Sequence, residues 1–219
     1  MNFTFAQSQG SRDYQQDDAC TFTTDGKTYF VVCDGLGWHP ESTLASQLAV
    51  DTLRTQILEH GDVEKAIDYT ANLIEQTWPA HRTMSWQEPT PATTITIAEV
   101  FAESQANFYW LGDSPAYAVY CKQRIEAAGF GHTSYGSSLT RCAGAAGYKN
   151  TDSIGRTKNI LFDTMIIGTD GTDPFFQDSD EFPVMDTRKF VAQDIVDFCA
   201  PLEGSDNVTV FVVEKESYL

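Results

Sequence analysis

The residues of greatest chemical interest sit in four short acidic turns. Three apolar runs end alike: Phe30-Val31-Val32-Cys33 passes into Asp34-Gly35, Phe108-Tyr109-Trp110-Leu111 into Gly112-Asp113-Ser114, and Met165-Ile166-Ile167-Gly168 into Thr169-Asp170-Gly171. A fourth is the mirror image, with Asp206-Asn207 leading into Val208-Thr209-Val210-Phe211. Taken singly each is an ordinary turn, because Asp and Gly supply the backbone geometry that turns require. Taken together they set four carboxylates at strand ends, where one sheet edge would gather them. Hard divalent cations such as Mg²⁺ or Mn²⁺ take oxygen ligands of this kind while keeping several waters, so the pattern points to a two-metal site.

The elements that must hold these turns are legible in outline. Phe3 and Phe5 alternate with polar residues, and Cys20–Thr24 and Lys27–Val32 flank Asp25-Gly26, a strong hairpin signal. Two helices follow. Ala45, Leu48, Ala49, Thr52, Leu53 and Ile57 keep one face from about Glu41 to Glu59; Val63, Ala66, Ile67, Ala71, Ile74 and Trp78 keep one from Asp62 to about Trp78. Asp62 suits an N-cap and Pro79 a stop. A meander of strands is expected at Thr93–Phe101, Ala106–Leu111 and Ala116–Cys121. Lys122–Lys158, rich in Gly, Ser and Thr, reads as connections. A strand at Thr164–Ile167, a helix from about Arg188 to Cys199 and a strand at Val208–Val213 close the chain. Strands and helices come in blocks rather than in βα alternation, so the expected class is α+β, with antiparallel sheets flanked by helices.

The 219 residues, 42% of them hydrophobic, make one domain the expectation, spanning 1–219. No apolar run approaches the ~20 residues that span a bilayer, and the start Met1-Asn2-Phe3-Thr4-Phe5 has no signal-peptide character; the expected compartment is the cytoplasm. A formal charge of −17 argues against a nucleic-acid or anionic-membrane partner, which would need clustered Lys and Arg. No heptad or long apolar stripe calls for a dimer, so a monomer is expected. Cys20, Cys33, Cys121, Cys142 and Cys199 form no CxxC pair and read as reduced thiols. Of the histidines, His39, His60, His81 and His132, none shows metal-ligand spacing; His60 suits a helix C-terminus, and His39, close after Asp34-Gly35, could reach the site edge.

A family resemblance gathers the same residues. The order Gly10-Ser11-Arg12-Asp13-Tyr14-Gln15-Gln16-Asp17, Val32-Cys33-Asp34-Gly35-Leu36-Gly37, Ala92-Thr93-Thr94, Gly112-Asp113-Ser114, Thr169-Asp170-Gly171 and Asp206-Asn207-Val208-Thr209 resembles the metal-dependent serine/threonine protein phosphatases of the PPM (type 2C) family, and most of all its compact bacterial members. Leu139-Thr140-Arg141 followed by Gly144 fits a weaker signature. The resemblance implies a β-sandwich of two antiparallel sheets with helices on both outer faces and metals at one edge. Carried over residue by residue, Asp34 would bridge two Mn²⁺ or Mg²⁺ ions, with the Gly35 carbonyl, Asp170 and Asp206 completing the ligands. Asp113 with Asp170 would match a weaker third site. Arg12 would grip the substrate phosphate, a task suited to its planar fork of donors. Gln16 and Asp17 would organise water behind it. The implied reaction is direct attack by a water shared between cations ~3.5–4 Å apart, with no covalent enzyme intermediate. The implied partners are a phosphorylated protein and an opposing Ser/Thr kinase.

Departures from the family bear on substrate choice more than on hydrolysis. Pro115 stands after Gly112-Asp113-Ser114 where Arg is usual, Ala92 and Trp38 replace glycines, Gln15 replaces Asn, and Leu36 stands where some eukaryotic relatives carry a histidine. The flap region around 122–138 is shortened and lacks a Leu-Thr-x-Asp-His motif. Two other readings stay open: a catalytically weak or inactive module that binds a partner, and a hydrolase of small phosphate esters.

Overall fold

The computed structural model describes residues 1–36, 41–78, 90–133, 139–144, 151–177 and 191–215. Trp38, His39, Pro79, His81 and Arg188 lie outside them. One sheet joins β1 (Asn2–Ser8), β12 (Val208–Glu214), β11 (Thr164–Gly168), β7 (Ala116–Tyr120) and β8 (Gln123–Ala128) in that order. The other joins β10 (Gly155–Leu161), β6 (Gln105–Leu111), β5 (Ile95–Ala102), β3 (Lys27–Asp34) and β2 (Asp17–Thr24). Every pairing within them is antiparallel. β4 (Ala92–Thr93) and β9 (Ala143–Gly144) form a small third pair.

The period-2 alternation of strand side chains explains the layering. Phe30, Val32, Phe108, Met165, Ile167 and Phe211 point between the sheets and are buried there. The alternate residues Tyr29, Val31, Ile95, Ile97 and Leu111 face outward onto Leu53 and Ile57 of α1 (Ser42–His60) and Ile67 and Ile74 of α2 (Val63–Thr77). On the opposite side Ile166, Val208, Val210 and Val212 pack on Phe176 of α3 (Asp173–Gln177) and on Ile195 and Cys199 of α4 (Ala192–Cys199). The result is the expected four-layer α+β sandwich. The strand β3 is buried from Tyr29 to Cys33 because both faces are covered, which is why it reads as an unbroken apolar run.

Local signals behave as their chemistry requires. Asp25 and Gly26 both take positive φ, 51° and 73°, and close the β2–β3 hairpin with the type I′ signature. Asp62 caps α2 by accepting the Lys65 N–H at 3.1 Å. Gly61, at φ 68°, ends α1 directly after His60.

Three strands, β8, the short β9 and the start of β10, occupy the stretch read from sequence as connections. β8 follows a turn at Cys121-Lys122, which adopts φ 49° and 68° without the Asn or Gly that usually marks such a turn. The Cys121 N–H is held by Asp163 Oδ2 at 2.8 Å. β10 is an edge strand bearing Arg156 and Lys158 and broken by an irregularity between Thr157 and Ile160, so its alternation is masked by residues that guard an edge. The helix expected from about Arg188 begins at Ala192; Val191 is its N-cap, its N–H bound by Asp194 Oδ2 at 2.9 Å. No helix among the described residues is long and apolar enough to cross a membrane.

Phe108 lies fully buried between the sheets. Replacing it with Ala should lower the unfolding free energy by about 3–5 kcal/mol, read from urea denaturation.

Candidate active site

Antiparallel pairing sends alternate strands toward the same end of the sandwich. There β1, β3, β6 and β11 end, and β2, β5, β7 and β12 begin, as the pairs Ser8↔Val208, Asp17↔Asp34, Ile95↔Leu111 and Ala116↔Ile167 require. Asp34 closes β3, Asp17 opens β2, Asp170 follows β11, and Asp206 precedes β12. Elements scattered along the chain therefore deliver four carboxylates to one edge.

These groups crowd one another. Burial raises the pKa of Asp34 well above the carboxylate range, and the neighbouring charges of Asp170, Asp17 and Asp206 push it further; Asp34 and Asp170 also share a hydrogen bond. Burial raises Asp170 as well, with Asp206 adding repulsion. Asp17 is pushed up to about 7 by burial, although the Thr209 and Thr169 hydroxyls donate to its Oδ2 at 2.8 and 2.9 Å and oppose the rise. Among the described residues, Asp17 Oδ1 and Asp170 Oδ1 are buried with no hydrogen-bond partner. Orphaned anionic oxygens are costly; a divalent cation would satisfy Asp170 Oδ1, and a water held on such a cation would satisfy Asp17 Oδ1. The donor set thus fits a hard metal ion. Among the described residues no group of three or more His, Cys, Asp or Glu side chains already stands in ligating array. Asp206 gives Oδ2 to Arg12 Nη2 at 2.5 Å and Oδ1 to the Asn207 N–H at 2.8 Å.

Arg12 lies on the β1–β2 loop, and that loop is fastened to the approach to β12. Asn207 is the fastener: its Oδ1 accepts the Gln16 N–H at 2.8 Å, and its Nδ2 donates to Gln9 O and Tyr14 O at 2.8 and 2.9 Å. Gly10, at φ 60°, lies so close that a Cβ there would come within 2.1 Å of Asp206 O. Gln16 O in turn accepts the Gly35 N–H at 3.1 Å and the Ser46 hydroxyl at 2.6 Å, tying the loop to β3 and α1.

Asp113 sits beside this group on the β6–β7 turn, pushed up to about 6 by burial and by Asp170. The turn is clamped from several sides. Ser114 Oγ shares a hydrogen bond with Thr94 Oγ1 at 2.7 Å, Ser114 O accepts from Thr96 Oγ1 at 2.8 Å, and Pro115 O accepts the Gly168 N–H at 3.1 Å. Buried His132 accepts the Gly112 N–H through Nδ1 at 3.1 Å, while Arg141 Nη1 stands 3.2 Å from its Nε2 and donates to Ser153 O.

Comparison with known proteins settles the family. A family model described as Protein phosphatase 2C matches residues 7–204. The chain belongs to that family. Among solved structures it is similar to the serine/threonine phosphatase Stp1 from Staphylococcus aureus, with a TM-score of 0.78 at 17% identity over 98% of this chain and 95% of that one. It is also similar to the PPM Ser-Thr phosphatase MsPP from Mycobacterium smegmatis in complex with cacodylate (TM-score 0.72, 17% identity, 99% of each chain). A third is the catalytic domain of the phosphatase PstP in complex with two manganese ions (TM-score 0.71, 17% identity, 97% of each chain). No protein of curated function matches.

In this phosphatase 2C chain, Asp17, Asp34, Asp113, Asp170, Asp206 and Arg12 all meet at the one edge, with Gly35 beside Asp34. His39 lies outside the described residues. Sequence reading missed Asp173, which joins the group one helical turn after Asp170 and is pushed up to about 7 by burial, Asp170 and Asp113; the i, i+3 spacing was the available signal. It also missed the fastening role of Asn207 and the support His132 gives the Asp113 turn, since both act on backbone distant in sequence.

Burial, with repulsion from Arg141, pushes His132 from its ordinary 6.5 down to about 4. The unfolded chain therefore takes up this proton first, so the associated stability is complete above about pH 6.5 and is lost as pH falls toward 4. Between pH 7 and pH 5 the wild type should lose about 1–2 kcal/mol more than His132→Gln, measured by urea unfolding at both values.

Proposed function

We propose that this chain removes phosphate from phosphoserine and phosphothreonine in proteins, using two divalent cations, Mn²⁺ or Mg²⁺. The observation that carries the reading is the gathering of Asp17, Asp34, Asp170 and Asp206 at one edge with orphaned oxygens and with Arg12 beside them. Asp34, Asp170, Asp206 and the Gly35 carbonyl would hold the ions, and Asp113 with Asp170 a weaker third. When bound, such a pair activates a water and offsets charge on the phosphoryl oxygens. Arg12 presents a planar fork to two phosphate oxygens and orients the ester. Asp17, fixed through Oδ2 by Thr169 and Thr209, keeps Oδ1 free to accept a hydrogen bond from the attacking water. Leu36 offers no proton to the leaving alkoxide, which solvent then protonates. The chain acts in this reading as one monomeric, cytoplasmic domain opposing a Ser/Thr kinase.

The test compares purified wild type with Asp170→Asn on a phosphothreonine peptide in Mn²⁺, in Mg²⁺ and in excess EDTA. Wild type should release phosphate only with metal, and the variant should be slower by on the order of 10²-fold or more. No release from phosphopeptides by the folded, metal-supplied chain would overturn the reading in favour of a binding module. Faster release from small phosphate esters than from peptides would move the substrate class.

A further inference from the structure

We propose that Arg12 is held on Asp206 until a cation takes that carboxylate, so that the phosphate-binding arginine is released by metal loading. The proposal rests on the reading above, in which Arg12 meets phosphate and Asp206 meets metal, and it adds an order of events to that site.

Both oxygens of Asp206 are engaged within the chain: Oδ2 by Arg12 Nη2 at 2.5 Å, Oδ1 by the Asn207 N–H at 2.8 Å. Hydrogen bonds tie the two backbone segments to each other. Gln9 Nε2 donates to Arg12 O at 2.6 Å, the Ser11 hydroxyl and N–H both donate to Ser205 O at 2.7 and 3.2 Å, and Ser205 Oγ accepts the Ser11 N–H at 3.2 Å. Asn207 fastens the same loop through Gln9 O and Tyr14 O. Separation of the pair therefore falls to rotation of the Arg12 and Asp206 side chains, and with the loops tied together the pair forms at a reduced entropic cost.

The pair is half exposed, at 45% and 36%, so it has the modest strength of a surface ion pair. A dication bound to Asp206 and its neighbouring carboxylates stands against the guanidinium at close range and displaces it. Once displaced from Asp206, the fork of donors is available to an anion entering the site. Cation and arginine therefore compete for one carboxylate, whereas cation and phosphate cooperate; by linkage each raises the affinity of the other.

Calorimetric titration of Mg²⁺ into wild type and Arg12→Ala, at 0.1 M and at 1 M KCl, tests this without recourse to turnover. If Arg12 must be displaced, the variant binds Mg²⁺ about two- to fivefold tighter at 0.1 M. Most of that gain persists at 1 M, where screening over about 3 Å removes long-range repulsion but not a contact pair. Equal affinities at 0.1 M, or a gain that disappears at 1 M, would overturn the proposal while leaving the two-metal reading intact. Absence of Mg²⁺ uptake by either protein would overturn the two-metal reading and the proposal with it.

Discussion

Repulsion among like charges that cannot leave one another is the constraint around which the rest of this molecule is arranged. Asp34 and Asp170 share a hydrogen bond, and Asp17 and Asp206 lie close enough to raise both the energy of ionising Asp34 and, through Asp206, that of Asp170. A chain free to relax would separate such groups into water. Here it cannot, because each carboxylate is the first or last residue of a strand, or lies within two residues of one, whose interior is locked into an apolar layer. Burial of Phe30, Val32, Met165, Ile167 and Phe211 supplies the free energy that holds the strand ends together. Hydrophobic packing thus sustains the electrostatic strain at this edge.

Apart from the Arg12–Asp206 pair, the hydrogen bonds at the edge fix position more than they satisfy charge. Asn207 uses its whole side-chain amide on backbone groups of residues 9, 14 and 16, and none of it on a carboxylate. Thr169 and Thr209 bind only one oxygen of Asp17. Gly171 is packed so tightly that a Cβ there would meet Asn207 O at 1.9 Å, which brings the Asp170 and Asp206 segments together through backbone alone. A scaffold of neutral donors sets the geometry, and among the described residues Asp17 Oδ1 and Asp170 Oδ1 stay without a partner.

The parts of this arrangement readable from sequence are those that depend on local chemistry. Strand-terminal Asp-Gly turns, the Asp25-Gly26 hairpin, the Asp62 cap and the period-2 core follow from neighbouring residues, and each appears where it was expected. What sequence did not disclose depends on distant contacts or on turns without a signature. Cys121-Lys122 adopts a left-handed pair that neither residue favours, stabilised by Asp163 from 42 residues away, so β8 was hidden. Asp206 is legible as a metal-type carboxylate beside its strand, whereas its ion pair with Arg12 spans 194 residues and has no sequence mark.

A second buried carboxylate shows why the edge, and not acidity in general, marks the site. Glu99 is only 4% exposed, yet Lys27 and Tyr29 donate to its Oε1 at 2.8 and 3.2 Å, and Asn107 and Tyr109 to its Oε2 at 2.7 and 3.4 Å. Burial works to raise its pKa, but these partners outweigh it and hold the group below the usual range. Glu99 pairs with Tyr29 in register, toward the Lys27 end of β3 and away from Asp34. At one end of the same strand a carboxylate is saturated by donors and a cationic lysine; at the other, carboxylates are left with oxygens unmet and with one another for neighbours. A fold able to neutralise a buried acid so fully in one place has the means to do so elsewhere. That one oxygen each of Asp17 and Asp170 is left without a partner among the described residues is therefore a departure from that pattern, and it is what the proposed reading requires.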